Sequence, residues 1–423
     1  MQQAGMGGRI FHGWWIVAAG FICTALLIGS TTYSFGLFVA PLSKEFALSR
    51  ANANTGFIAL LVGFALWAPI VGRLLDRSSA RKVITVGALL FAGGFTMIAL
   101  SPSPLWMALA ILGPVSAGAV SAGALAANTV TARWFQRRRG RALGVLAVAT
   151  SAGGFLMPPL IALLMQSFGW RMALVAQGAL VAALAIAVAW LLVRDRPQDL
   201  GLLPDGLPAP ATTATITPTS DAGTWTFGRL LRTPNYWLLS CGAGILLGAD
   251  QALLSSMIPY GTDAGLTPAQ ASLLVSSLTF SAILGKLAIG ALADRFDKRL
   301  LFCAVAACNL CFLVILLLSP GYATLLVACS IIGLAIGGTY PLWTTLAADC
   351  FGTASFGSVL GSMNLLMVPF SIAAVRYIGE VFDRTGSYGP AFITFMGTAV
   401  LSTVLILALR PPQPAGVAVT APA

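Results

Sequence analysis

Long apolar stretches recur along the whole chain and are separated by short polar segments. Twelve of them come close to the roughly 20 residues that an α-helix needs to cross the hydrocarbon core of a bilayer. This pattern predicts an all-α membrane protein with twelve transmembrane helices. The predicted helices occupy residues 14–39, 54–75, 83–101, 105–131, 142–166, 170–193, 236–258, 270–292, 300–319, 322–347, 357–380 and 389–409.

One polar segment is much longer than the others. Residues 194–232 contain LPAPATTATITPTSDAG, a composition typical of a flexible linker. We therefore predict a six-helix bundle over residues 1–193, a linker over 194–232 and a second six-helix bundle over 233–410. The Pro-rich tail, residues 411–423, is expected to be disordered.

The two halves of the chain repeat one another. GRLLDRSSARK begins at Gly72, and GALADRFDKR begins at Gly290, 218 positions later. The same offset aligns Pro41 with Pro259, each near the end of the first helix of its half. Internal repeats of this kind are characteristic of transporters built from two bundles.

The composition excludes several classes of protein. The chain is 58% hydrophobic and 9% charged, whereas soluble domains carry about 25% charged residues. The net charge is +11, but the basic residues form short clusters between apolar stretches, which favours a membrane surface over nucleic acid. His12 is the only histidine, so a histidine metal cluster cannot form. We expect no enzymatic activity, cofactor or metal.

The basic residues also indicate an orientation. With the N-terminus in the cytoplasm, 18 of the 24 lysines and arginines face the cytoplasm, five face the outside and Lys286 lies within a helix. Cytoplasmic loops carry an excess of Lys and Arg. We therefore expect a multi-pass protein of the cell inner membrane with both termini and the linker in the cytoplasm.

Two loops resemble a motif of the major facilitator superfamily, G-x-L-x-D-R-x-x-x-R-K. One follows the second predicted helix, and a shorter copy follows the eighth. The resemblance covers nearly the whole chain and implies the major facilitator fold of two six-helix bundles. We interpret both loops as gating clusters whose charge pairs break and re-form as the halves rock; a purely topogenic basic loop is the alternative. The residues concerned are Gly72, Asp76, Arg77, Arg81, Asp294 and Arg295.

A longer motif resembles the monocarboxylate transporter group of that superfamily, which includes bacterial oxalate:formate antiporters. WFQRRRGRALGVLAVATSAGG, residues 134–154, is similar to the start of that group's fifth helix. HGWWIV, residues 12–17, resembles its first helix, with His12 where an acid is usual. The resemblance implies transport of small carboxylates and a cation, usually arginine, on the eighth helix. The lysine that the antiporter pattern carries on the eleventh helix is absent, which disfavours a small dicarboxylate.

Two ionisable residues lie deep in the predicted helices. Asp250 is roughly 20 Å from the linker end of the seventh helix, and Lys286 is roughly 12 Å from Asp294 at the end of the eighth. A charge in the hydrocarbon core costs about 2.5–3.5 kcal/mol, so a residue that carries one is a candidate for a functional role. The repeat places uncharged Thr32 and Ala68 at the equivalent positions. The scaffold is therefore duplicated, whereas the charges are not.

These two residues carry the predicted chemistry. Lys286 stands where the resemblance implies a cation, and we interpret it as the group that binds the substrate carboxylate. Asp250 is the candidate proton carrier or counter-ion, within reach of Lys286 because their helices are consecutive and antiparallel. The alternatives are that Lys286 extends to the lipid headgroups and that Asp250 makes a structural hydrogen bond.

Polar and aromatic residues on four other helices complete the candidate substrate site. The resemblance implies that helices 1, 4, 7 and 10 line the cavity, with aromatic residues on the first and tenth. Packing or hydrogen bonding between helices explains each residue equally well. The candidates are Tyr33, Asn128, Tyr340, Trp343 and Asn364.

Together these features predict a secondary active transporter of small organic monocarboxylates, working by proton-coupled symport and alternating access. A carboxylate bound beside Lys286 and an ionised Asp250 would leave the site negative, and a proton on Asp250 restores neutrality. The expected partners are a small carboxylate, a proton and the bilayer, and we expect a monomer. The alternatives are an organic anion exchanger, an exporter of lipophilic compounds or, less favoured, a membrane sensor on a transporter scaffold.

Overall fold

The computed structural model describes residues 11–135, 138–206, 227–293, 295–318, 321–351 and 356–409. Within these ranges the long elements are helices and no β-strand occurs. Twelve of the helices are long enough to cross a membrane. They are α1 His12–Phe46, α2 Arg50–Arg77, α3 Ala80–Ala99, α4 Pro104–Trp134, α5 139–168, α6 170–192, α7 Pro234–Asp263, α8 Pro268–Ala293, α9 Lys298–Leu317, α10 Tyr322–Phe351, α11 Phe356–Thr385 and α12 Gly389–Leu407.

Helices α5 and α6 follow one another directly over Arg139–Leu192 and are separated by a single non-helical residue. Gly169 has φ 75° and ψ 165°, a conformation that residues with a Cβ rarely adopt. No atom lies within 4 Å of the position where its Cβ would stand, so the backbone angle alone requires glycine. This segment therefore crosses the membrane twice, and the prediction of twelve helices in an all-α membrane fold is confirmed.

Several helices extend beyond the apolar stretches that predicted them. α2 begins at Arg50 rather than at 54, because the Ser49 side chain accepts a hydrogen bond from the backbone N–H of Asn52 and caps the helix. α11 continues to Thr385, beyond the apolar stretch that ends at 380. An apolar stretch marks only the hydrocarbon core, whereas a helix continues until its end groups are satisfied.

The helices of each half pack into a six-helix bundle, α1–α6 and α7–α12. Equivalent arginines tie the third helix of each bundle to the end of the sixth. Arg81 Nε donates to the Val193 carbonyl at 2.6 Å, and Arg299 Nη1 donates to the Leu409 carbonyl at 3.1 Å. The two arginines are 218 positions apart, so these bonds show the internal repeat in three dimensions.

The helix ends define two faces of the molecule. The linker face carries the loops near residues 78–79, 135–138 and 193–206. The opposite face carries those near 47–49, 264–267 and 386–388. Residues 207–226 of the predicted linker and 410–423, which include the predicted tail, lie outside the described residues. The domain boundaries therefore stay predictions.

Candidate functional site

Close packing of α8 on α10 determines where Lys286 lies. A Cβ added to Gly285 would stand 2.2 Å from the Leu334 carbonyl oxygen, and one added to Gly337 would stand 2.3 Å from that of Ala282. Small residues permit such close approach of membrane helices. Successive helical residues are about 100° apart, so Lys286 leaves α8 in a different direction from Gly285.

The Lys286 side chain crosses from the second bundle to the first. Its Nζ donates to three oxygens of α5: the Ala147 carbonyl at 2.6 Å, Thr150 Oγ1 at 2.8 Å and Ser151 Oγ at 2.9 Å. An ammonium has three hydrogens, so these bonds use them all. The lysine therefore does not extend to the headgroups. Among the described residues, no carboxylate forms an ion pair with it.

We define the seam between α5 and α8 by residues 147–155 and 276–286. Helix α1 also packs against this seam. Ser276 Oγ donates to the Phe155 carbonyl at 2.9 Å. A Cβ added to Gly154 would stand 2.5 Å from Thr279 Cγ2 and 2.8 Å from the ring of Tyr33. Tyr33 ends a π-helical turn of α1, Gly29–Tyr33, a distortion frequent at functional sites. Tyr33 and Lys286 thus lie on one seam.

Asp250 does not pair with Lys286. The three oxygens of α5 accept all the hydrogens of the Lys286 ammonium. The contact between Asp250 and Lys286 that the sequence allowed is therefore not formed. Asp250 lies on α7 with only 5% of its surface exposed, and neither carboxylate oxygen has a hydrogen-bond partner in the part of the chain that the structure describes. The structural hydrogen bond considered as its alternative role is absent as well. An ionised carboxylate in such surroundings is costly.

Three of the other predicted lining residues lie together on α10 and α11, and the fourth lies apart on α4. Tyr340 and Trp343 pack edge to face on α10, with ring centroids 5.2 Å apart. Trp343 is fully buried, and its Nε1 has no hydrogen-bond partner among the residues with described positions. Asn364 of α11 donates to the Leu360 carbonyl of its own helix, and its side chain also contacts the Tyr340 hydroxyl of α10. Asn128 is exposed on α4 and makes no hydrogen bond with the described residues.

The first predicted gating loop makes its contacts within the first bundle. Arg133 of α4 donates to the Leu75 carbonyl at 2.9 Å and reaches Asp76 at 3.5 Å. Arg77 is exposed, and Gly72 has open space beside it. These contacts join the ends of α2 and α4.

The second loop is organised differently. Arg295 is exposed, and Asp294 lies outside the described residues. Lys298 forms an ion pair with Asp349 at the end of α10. Asp297 caps α9 by accepting from the backbone N–H of Arg299 at 2.8 Å, and the Arg299 guanidinium lowers the pKa of Asp297 below its ordinary value. A gating role for either loop stays a prediction.

The opposite face carries a polar connection between the bundles that the sequence did not reveal. The Asp383 carboxylate of α11 accepts from the backbone N–H groups of Arg50 and Ala51, at 2.6 and 2.8 Å. Arg50 Nη2 also donates to Asp263 of α7 at 2.6 Å. The first N–H groups of a helix lack partners and favour negative charge. We name Arg50, Ala51, Asp263 and Asp383 the opposite-face latch; it joins the two bundles at this face.

The seam hydroxyls were also missed, although Thr150 and Ser151 stand within the motif that carries the resemblance. They are the only side-chain hydroxyls in residues 134–154. Their position opposite Lys286 depends on how the two bundles meet, which no local pattern encodes. In the part of the chain that the structure describes, no three His, Cys, Asp or Glu side chains gather as metal ligands.

Comparison with known proteins agrees with this architecture. The sequence profile of the Major Facilitator Superfamily matches residues 20–375 and 240–422. Monocarboxylate transporter 12 of Rattus norvegicus is 25% identical over 93% of this chain and 85% of its own length. Monocarboxylate transporter 11 of Mus musculus is 27% identical over 90% and 83%. The crystal structure of a D-xylose-proton symporter superposes with a TM-score of 0.74 at 14% identity, covering 94% of this chain and 98% of that one.

The profile spans well over half of the chain, and the solved structure shares its fold. The curated relatives cover nearly all of it and carry the name that the fifth-helix motif indicated. The chain therefore belongs to the Major Facilitator Superfamily, a family of membrane transporters, and within it resembles the monocarboxylate transporter group.

Proposed function

We propose that this chain transports small organic monocarboxylates by proton-coupled symport. One observation carries the proposal. The Lys286 ammonium lies inside the membrane-spanning region, bound to neutral oxygens of the other bundle and without a carboxylate partner among the described residues. A buried cation of this kind attracts an anion, because the anion supplies the missing opposite charge.

The surroundings favour one carboxylate rather than two. Asn364 of α11 is uncharged and stands near the position where the antiporter pattern has its second cation. Tyr33 on the seam provides an aromatic surface for the apolar remainder of the substrate. The names of the relatives, monocarboxylate transporters 11 and 12, support the same class of substrate. We propose no catalytic role.

Asp250 is the proposed proton carrier. It is buried and its oxygens are unpartnered, so its neutral, protonated form suits these surroundings better than its ionised form. With Lys286 charged, binding of a carboxylate together with a proton on Asp250 leaves the membrane-spanning region neutral. The coupling therefore follows from charge balance and needs no direct contact between the two side chains.

Alternating access is the proposed mechanism. The latch joins the bundles at the opposite face, and the seam joins them near the middle of α5 and α8. Opening of the opposite face requires the latch to break while the two bundles rock about the seam. We propose that the loops carrying Asp76 and Asp294 hold the linker face in the alternative state.

Transport is tested with purified protein in liposomes. Uptake of labelled lactate, pyruvate and phenylacetate is measured with and without an inward proton gradient. We expect accumulation of at least one acid that the gradient accelerates. Exchange without any effect of the gradient would instead identify an anion exchanger, and absence of carboxylate transport would refute the proposal.

The linker face is proposed to lie in the cytoplasm. In a variant lacking the seven native cysteines, Arg138→Cys should be protected from an impermeant thiol reagent in intact cells, because Arg138 is exposed on the linker face. Ala264→Cys, exposed on the opposite face, should be labelled. Permeabilised cells serve as the control, in which both should react. The reverse pattern in intact cells would invert the topology.

Breaking the latch should open the opposite face. Asp383→Asn removes the charge that two helix N–H groups share, and charged hydrogen bonds contribute about 1.5–3 kcal/mol. We expect labelling of Ser255→Cys, whose backbone packs on Gly36 of α1, to accelerate about 10-fold. Asp349→Asn is the matched control, because its ion pair joins helices of one bundle only. Unchanged labelling in Asp383→Asn would exclude the latch as a gate.

A further inference from the structure

An unused hydrogen-bond donor lies beside the Lys286 ammonium. Ser151 Oγ accepts from Nζ at 2.9 Å, and its own hydrogen has no acceptor among the described residues. Thr150 differs, because its hydroxyl already donates to the Ala147 carbonyl at 2.9 Å. Ser151 is only 1% exposed. A buried hydroxyl that lacks an acceptor is costly to keep, so this one suits a ligand that brings its own acceptor.

We propose that Ser151 and Lys286 together bind the substrate carboxylate, an inference that rests on the proposed function. One carboxylate oxygen accepts from the Ser151 hydroxyl, and the other accepts from Lys286 Nζ. The ammonium releases one of its bonds to Ala147 or Thr150 to make this contact. The exchange is favourable because a carboxylate is a charged acceptor, whereas the carbonyl and the hydroxyl that it replaces are neutral.

The position of the pair also sets the size of the substrate. Gly154 lies one turn further along α5, roughly 5 Å away, and the Tyr33 ring and Thr279 pack against it. The anion subsite is thus followed along the seam by an aromatic and methyl surface. This arrangement suits a short monocarboxylate whose remainder is apolar or aromatic.

The same geometry gives the substrate a structural role. Ser151 belongs to the first bundle and Lys286 to the second, so a bound carboxylate bridges the two. In the empty protein, Lys286 itself makes that bridge. The substrate takes over part of this connection, and the bundles stay joined at the seam whether or not the site is occupied.

Matched substitutions on α5 test the assignment. Both substitutions remove one acceptor of Lys286, but only Ser151→Ala also removes an unused donor, because the Thr150 hydrogen is already bonded within α5. We expect Ser151→Ala to raise the KM for uptake of the tested acid by about 10- to 100-fold, with the maximal rate within about threefold. Thr150→Val, which removes an acceptor of Lys286 but no unused donor, should raise KM at least about threefold less than Ser151→Ala does. Ser151→Cys, which retains a weak donor, should lie between Ser151→Ala and the unsubstituted protein.

Lys286→Ala is measured in parallel, together with the melting temperature of each purified variant. If Lys286→Ala abolishes uptake while folded Ser151→Ala keeps its KM, this inference is overturned and the proposed function stands. If Lys286→Ala transports normally, both are overturned. An equal rise of KM in Ser151→Ala and Thr150→Val would show that both hydroxyls only stabilise the seam. That result would also contradict the assignment of Ser151 to the substrate.

Discussion

Replacing Lys286 by alanine should abolish saturable carboxylate transport while leaving the protein folded. The side chain makes three hydrogen bonds to neutral oxygens and no ion pair with the described residues, so its removal leaves no buried charge behind. A substrate carboxylate, in contrast, would lose the cation that we propose binds it. Charged hydrogen bonds contribute about 1.5–3 kcal/mol, and desolvating an unpaired anion costs more. We therefore expect the transport efficiency to fall by more than about 100-fold.

The measurement is initial uptake of labelled lactate, pyruvate and phenylacetate into liposomes, alongside the melting temperature of the purified protein. Lys286→Arg should retain partial activity, because it keeps the charge but replaces a compact ammonium with a planar fork. Lys44→Ala, an exposed lysine of α1 on the opposite face, is the matched control and should transport normally. Normal uptake by Lys286→Ala would show that this lysine only joins the bundles.

The apolar pattern was sufficient to predict the twelve helices, because crossing a bilayer imposes a length that is readable in sequence. The break at Gly169 falls between the predicted helices at 142–166 and 170–193 for the same reason. The repeat was also readable, and Arg81 and Arg299 now show it as equivalent bonds. These features depend on local composition or on comparison of the chain with itself.

The candidate site was only partly readable. Lys286 was recognisable, since an unpaired charge in a membrane helix is conspicuous wherever its helix lies. Its partners were not, because Ala147, Thr150 and Ser151 precede it by about 140 positions and meet it only when two bundles pack. The carbonyl of Ala147 has no sequence signature at all.

The latch was hidden for a related reason. In the sequence, Arg50 and Asp383 look like ordinary charged residues near helix ends. The Asp383 carboxylate accepts from backbone N–H groups, and every helix has such groups at its start. Only the close approach of α11 to α2 gives that carboxylate its role. An added Cβ on Gly379 would stand 2.7 Å from the Cα of Ala51. The pairing is therefore a property of the assembled bundles.

Replacing Asp250 by asparagine should separate proton coupling from substrate movement. Asparagine resembles the protonated carboxyl in shape and charge but cannot release a proton. With a carboxylate bound at Lys286, the membrane-spanning region of the Asp250→Asn protein carries no net charge. The same holds for the unsubstituted protein when it has bound a carboxylate and Asp250 is protonated. Exchange of labelled for unlabelled substrate, in which both directions use the loaded protein, should therefore persist.

Net uptake should behave differently, because the empty protein must return. In the unsubstituted protein an ionised Asp250 balances Lys286 during that step, whereas Asp250→Asn leaves the lysine charge alone. A single charge in the hydrocarbon core costs about 2.5–3.5 kcal/mol, so net uptake should slow by about 100-fold. An inward proton gradient should no longer accelerate it. The measurement compares exchange and gradient-driven accumulation in the same liposomes.

Asp199→Asn, an exposed carboxylate on the linker face, is the matched control and should retain both activities. Loss of exchange as well as net uptake in a folded Asp250→Asn protein would assign Asp250 to substrate binding or to the rocking motion itself. Full accumulation driven by the proton gradient in Asp250→Asn would place the proton elsewhere. In that case the buried, unpartnered carboxylate would serve the packing of α7, and the charge balance that we ascribe to Asp250 and Lys286 would be wrong.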